Sequence, residues 1–112
     1  MFAEVKKLLT FIRGDSYDDV IIGEIKACAL DLTSSTEIVL PGVISIEKDG
    51  TTGQIIDNST VDDEFVIKTI ATWCNKEIGN PPNYENLQRA YESRKGQMRL
   101  SRRYSGGADG CE

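Results

Sequence analysis

The stretch Thr60-Val61-Asp62-Asp63-Glu64-Phe65-Val66-Ile67-Lys68-Thr69-Ile70-Ala71-Thr72-Trp73-Cys74-Asn75-Lys76-Glu77-Ile78-Gly79-Asn80-Pro81-Pro82-Asn83 decides the fold. Ile67, Ile70, Ala71, Cys74 and Ile78 recur at helical spacing, so one face of this segment is apolar, with Val66 and Trp73 flanking it. Thr60 with Asp63 resembles a capping box, and Asp62, Asp63 and Glu64 suit the positive end of a helix dipole. The spacing therefore predicts a helix starting near Thr60. Gly79 ends it, and Asn80-Pro81-Pro82-Asn83 forbids continuation.

Working outward, the same period recurs three times. Val5, Leu8, Leu9 and Ile12 make one stripe on a helix over residues 2–13, stopped at Gly14. Asp15 or Ser16 can cap a second helix that runs to about Leu32, with Ile21, Ile25, Cys28 and Leu32 on one face, widened by Ile22 and Ala29. A last helix begins at Asn83 or Tyr84 and runs to Tyr104. Its stripe of Leu87, Tyr91, Arg94 and Met98 is weaker and is interrupted by Arg94 and Gly96. Residues 105–112, rich in glycine, are expected to form a disordered tail.

Between the second and third helices the chemistry changes. Glu37-Ile38-Val39-Leu40 and Val43-Ile44-Ser45-Ile46 are rich in β-branched residues, and Asp49-Gly50-Thr51-Thr52-Gly53 reads as a tight turn. A hairpin of Val43–Ile46 with Gln54–Ile56 is one reading of 37–58, and an irregular connection is the other. The expected fold is a mainly α single domain over residues 1–104: a small bundle of about four helices with a short β-hairpin inserted between helices 2 and 3.

Composition narrows the function. The 112 residues suffice for one domain, and 39% hydrophobic with 28% charged residues is the balance of a soluble globular chain. No apolar run approaches the ~20 residues of a membrane span. The opening Met1-Phe2-Ala3-Glu4-Val5-Lys6-Lys7 does not read as a signal peptide. Three cysteines, Cys28, Cys74 and Cys111, with no C-x-x-C pair, read as thiols in a reducing compartment. Histidine is absent, which removes the commonest general base and metal ligand. Neither glycine-rich phosphate-binding motif occurs. The expectation is a protein that is not an enzyme, with no catalytic residue, metal or cofactor.

Charge is placed unevenly. Residues 1–83 carry seven Lys/Arg against fourteen Asp/Glu, whereas residues 84–104 carry six Lys/Arg against two acids. An acidic body thus joins a basic last helix whose candidate docking residues are Arg89, Arg94, Lys95, Arg99, Arg102, Arg103 and Tyr104. Three readings compete. The cations complement their own helix dipole; they contact nucleic acid, as in a small nucleic-acid-binding regulator; or they dock on an acidic protein surface. The acidic body and the lack of helix-turn-helix spacing disfavour the second.

The order of elements resembles the phage head–tail connector family, also called head-completion or adaptor proteins and sometimes DNA-packaging proteins. The resemblance rests on Val5-Lys6-Lys7-Leu8-Leu9, then Asp18-Asp19-Val20-Ile21-Ile22-Gly23-Glu24-Ile25-Lys26-Ala27. More specifically, it rests on Ile67-Lys68-Thr69-Ile70-Ala71-Thr72-Trp73-Cys74, Gly79-Asn80-Pro81-Pro82-Asn83-Tyr84 and Gly96-Gln97-Met98-Arg99. The segment Glu37–Asn58 is longer and more β-like than the short connection of many members. The resemblance implies a helical subunit of a homo-oligomeric ring beneath the portal protein, with a stopper or tail-completion protein below it. DNA passes through the centre without sequence-specific binding, and no membrane is involved. It implies location in the virion, at the head–tail interface, after assembly in the host bacterial cytoplasm. It also implies that Tyr84–Tyr104 engages the portal.

Overall fold

A computed structural model describes residues 1–9, 14, 17–34, 38–78 and 81–104, the side chain of Arg102 excepted. Among the described residues, four α-helices pack with one two-stranded antiparallel hairpin: α1 (Phe2–Lys7), α2 (Asp18–Thr33), β1 (Ile46–Lys48), β2 (Ile55–Asp57), α3 (Glu64–Glu77) and α4 (Tyr84–Leu100). A 3₁₀ turn, Arg102–Tyr104, follows α4. This is the expected class, with the hairpin between the second and third helices.

Helix α3 is the hub, packing against α1, α2 and α4. It starts later than Thr60. The Asp63 carboxylate accepts from the amides of Phe65 at 2.8 Å and Val66 at 3.2 Å, so Asp63 is the cap and Glu64 the first helical residue. Thr60 is drawn away by the sheet: its amide donates to the Val43 carbonyl at 2.8 Å, and its Oγ1 accepts from the Val43 amide at 2.8 Å. All five residues of the expected stripe are buried, and Val66 joins them.

Helix α2 buries Ile21, Ile25, Cys28 and Leu32 completely, as its periodicity requires. It begins at Asp18, with Tyr17 in the capping position; the expected caps Asp15 and Ser16 lie outside the described residues. Asp18 is buried and receives the Lys6 ammonium at 2.7 Å, which ties α1 to the start of α2. Helix α1 is shorter than expected. Its end tightens into three-residue bonds, Leu8 N to Val5 O and Leu9 N to Lys6 O. That leaves Leu8 40% exposed instead of within the stripe, while residues 10–13, with Ile12, lie outside the described region.

The first strand lies two to three residues nearer the turn than expected, and the second lies one residue farther from it. Ile46 pairs with Asp57, Glu47 with Ile56 and Lys48 with Ile55. Asp49 closes the turn: its carboxylate accepts from the Thr51 amide at 2.7 Å and the Thr52 amide at 3.1 Å. Below the strands, single bonds from Asn58 to Ser45 and from Thr60 to Val43 extend the pairing. Gly42 has no substitute there, because a Cβ would come within 2.8 Å of Thr60 Oγ1 and 3.0 Å of the backbone behind it. Ile38 and Ile46 anchor the segment in the core.

Polar groups between α2, α3 and α4 are paired. The Tyr91 hydroxyl donates to Asp31 Oδ2 at 2.5 Å, Lys95 Nζ meets the same oxygen at 3.1 Å, and the Cys28 thiol donates to Tyr91 Oη at 3.9 Å. Trp73 Nε1 donates to Glu24 Oε1 at 2.9 Å. Lys76 is only 3% exposed, pairs with Glu77, and lies 4.1 Å from the Trp73 ring centroid with Tyr84 and Tyr91 beyond. Burial pushes both buried thiols up, Cys74 to about 12. Burial would also raise Asp31, but the hydrogen bonds from Tyr91 and Lys95 outweigh it and hold the carboxyl below its usual range.

Candidate docking site at the end of the last helix

Helix α4 lies on α3 through Tyr91 and Met98, both buried, with Leu87 and Arg94 half-buried beside them. It ends at Leu100, because Ser101 takes an extended conformation (φ −92°, ψ 132°). The expected helix to Tyr104 is therefore broken, and the 3₁₀ turn folds back across the start of α3.

Asp63 holds that turn. Its second carboxylate oxygen, Oδ2, accepts the Tyr104 hydroxyl and the Arg103 guanidinium, each at 2.8 Å. The Tyr104 carbonyl accepts the Val39 amide at 2.7 Å, so the turn bridges α3 and the 38–44 segment. Burial alone would raise Asp63. The Tyr104 bond, the capping amides and Arg103 outweigh it, and the carboxyl lies below its usual range. Burial and the bond to Asp63 push the Tyr104 phenol up to about 12.

Phe65 completes the arrangement. Its ring stacks on Tyr104 with centroids 6.4 Å apart, and the Arg94 guanidinium carbon lies 5.2 Å from its centroid. Phe65, Gln97, Ser101, Arg103 and Tyr104 line an open hollow of about 240 Å³. It offers aromatic walls, one guanidinium, one amide and one hydroxyl. Those groups can hold a side chain with an apolar stem and an acidic end.

Of the seven candidate docking residues, Arg94, Arg103 and Tyr104 are thus brought together. Lys95 is directed inward to Asp31. Arg89 and Arg99 lie exposed on the outer face of α4. Arg102 belongs to the 3₁₀ turn, but its side chain lies outside the described region. Periodicity did not single out Phe65, because it falls off the apolar stripe of α3. Its signal was an aromatic directly behind the capping acids. Among the described residues no group of acids or cysteines is placed to hold a metal ion, and no described helix is long and apolar enough to cross a membrane.

No protein-family model, curated protein or solved structure matches this chain.

Proposed function

We propose that this chain is a non-enzymatic structural subunit of a phage head–tail connector. It docks on the portal protein through the C-terminal end of α4 and forms part of the channel through which DNA passes. Two kinds of support bear on the reading. The first is the order of elements quoted from the sequence, above all α3, the Asn80-Pro81-Pro82 break and the basic last helix. The second, which carries it, is the hollow at the end of α4, lined by Phe65, Gln97, Ser101, Arg103 and Tyr104, with Arg94 against the Phe65 ring.

The hollow is small and its partner is correspondingly local: an acidic, partly apolar segment of the portal. The acidic body suits a channel lining that does not grip DNA, since phosphate contacts depend on clustered cations. The nucleic-acid reading loses weight because residues 1–83 carry fourteen acids against seven cations and would repel phosphate.

A pull-down with the portal protein tests the proposal. Wild-type chain is expected to be retained. Arg102→Glu with Arg103→Glu is expected to lose retention, as is Gln97→Arg, which crowds the hollow without touching Asp63. Retention unchanged in both variants would sink the docking role.

A further inference from the structure

We propose that the hairpin of one copy docks on a second copy of this chain, its Ile56 entering the apolar hollow between α2 and the 40–44 segment. The proposal rests on the reading of the chain as an assembling subunit only in its choice of a like partner.

The hollow has a volume of about 380 Å³ and is lined by Lys26, Ala29, Leu30, Thr33, Leu40 and Ile44. Four of these six are aliphatic, and Leu30 is left 71% exposed. Single exposed apolar residues need no explanation, but contiguous apolar surface edged by polar groups marks a contact site. Lys26 is the one charged residue in the lining, and among the described residues it has no ion pair. The matching occupant is an aliphatic side chain with a carboxylate beside it.

The hairpin presents that combination. Glu47 and Ile56 are a directly opposed cross-strand pair. Side chains alternate along a strand, so both turn away from the face that carries buried Ile46. Ile56 is 45% exposed and stands as a single aliphatic knob between exposed Gln54 and Asn58. Glu47 is exposed and, among the described residues, has no ion pair.

The spacings agree. Lys26 and Leu30 are one helical turn apart, which puts their Cβ atoms roughly 6 Å from each other. Opposed strand residues such as Glu47 and Ile56 have Cβ atoms about 5 Å apart. With Ile56 seated beside Leu30, the Glu47 carboxylate therefore reaches the Lys26 ammonium.

A copy cannot fill its own hollow. Bonds from Asn58 to Ser45 and from Thr60 to Val43 carry the ladder past β1. Ile44, which lines the hollow, thus shares the inner face of Ile46, whereas Ile56 stands on the outer face. Hollow and knob lie on opposite faces of one segment, so the contact is heterologous. Every copy keeps one of each for the next, which closes a ring or extends a filament. A single contact of this kind is small, and closure of a ring multiplies it.

Cysteine trapping tests this in the full chain with Cys111→Ser as background. Lys26→Cys and Glu47→Cys variants are prepared separately and mixed under mild oxidation, with and without portal protein. A disulfide-linked dimer is expected in the mixture, at a yield well above that of either variant alone. No excess in the mixture under either condition overturns the proposal. Adding Ile56→Ser to the Glu47→Cys chain, or Leu30→Ser to the Lys26→Cys chain, is expected to cut the yield about tenfold. Both residues are exposed, so the core is left intact. A yield unchanged by both substitutions also overturns it. If Leu30→Ser abolishes portal retention while the mixture gives no cross-link, the hollow takes the portal and the proposal fails. A chain that gives no cross-link yet is retained by the portal, with or without Leu30→Ser, leaves the connector reading intact and removes only this interface.

Discussion

The Tyr104 hydroxyl donates to Asp63 Oδ2 at 2.8 Å, joining the last turn of the described chain to the first turn of α3, 41 residues earlier. The same carboxylate caps the helix, so one side chain fixes both where α3 begins and where the C-terminal segment lies. Tyr104→Phe removes only the hydroxyl and is expected to cost about 1–2 kcal/mol. Asp63→Ala removes cap and anchor together and is expected to cost more, roughly 2–4 kcal/mol. Urea denaturation checks both. Hydrogen exchange at the Val39 amide should accelerate in each, because its acceptor is the Tyr104 carbonyl.

Acid should loosen the fold through particular carboxylates. Asp31, Asp63 and Asp57 all lie below their usual range, Asp57 at about 2, where burial is outweighed by bonds from the Phe2 amide and Ser59. A depressed folded-state pKa contributes stability that is complete above the unfolded value of about 3.9 and is lost as pH falls toward the folded one. Stability is therefore expected to hold from neutral pH to about 5 and to drop steeply below 4. Thermal melts across that range measure it. In Asp63→Asn the acid-sensitive fraction should shrink.

Cys28 and Cys74 are buried free thiols, and burial disfavours their thiolates. In a Cys111→Ser variant, a thiol reagent should label neither in the native protein faster than global unfolding exposes them. Rapid labelling of either at neutral pH would show that the α2–α3 interface opens locally.

Gly23 and Gly96 stand in helix interiors, where glycine is about 0.5–1 kcal/mol less favourable than alanine. With open space around both, Gly23→Ala and Gly96→Ala are expected to raise monomer stability by roughly that amount each. Calorimetry at low concentration checks the gain.

The four helices were legible because each has a stripe at helical spacing; Ile21, Ile25, Cys28 and Leu32 are all fully buried. What misled was local chemistry that tertiary structure redirects. Thr60-x-x-Asp63 resembles a capping box, yet Thr60 bonds to Val43, far away in sequence, and Asp63 caps alone. Leu8 follows the stripe of α1, but the helix ends before it can turn inward. The basic helix was visible as composition. Composition does not say which cations face inward, and Lys95 and Arg94 are directed to Asp31 and Phe65. Nor could it reveal Phe65 as the floor of the hollow, since that role depends on a turn folding back from residue 104.

The central claim is that the end of α4 reads a protein partner. Co-sedimentation of the purified chain with assembled portal protein tests it most directly. The account predicts a stable complex whose formation saturates, survives physiological salt, and is lost on reversing Arg102 and Arg103. A chain that stays at the top of the gradient with portal present, yet shifts duplex DNA in a salt-dependent manner, would contradict it.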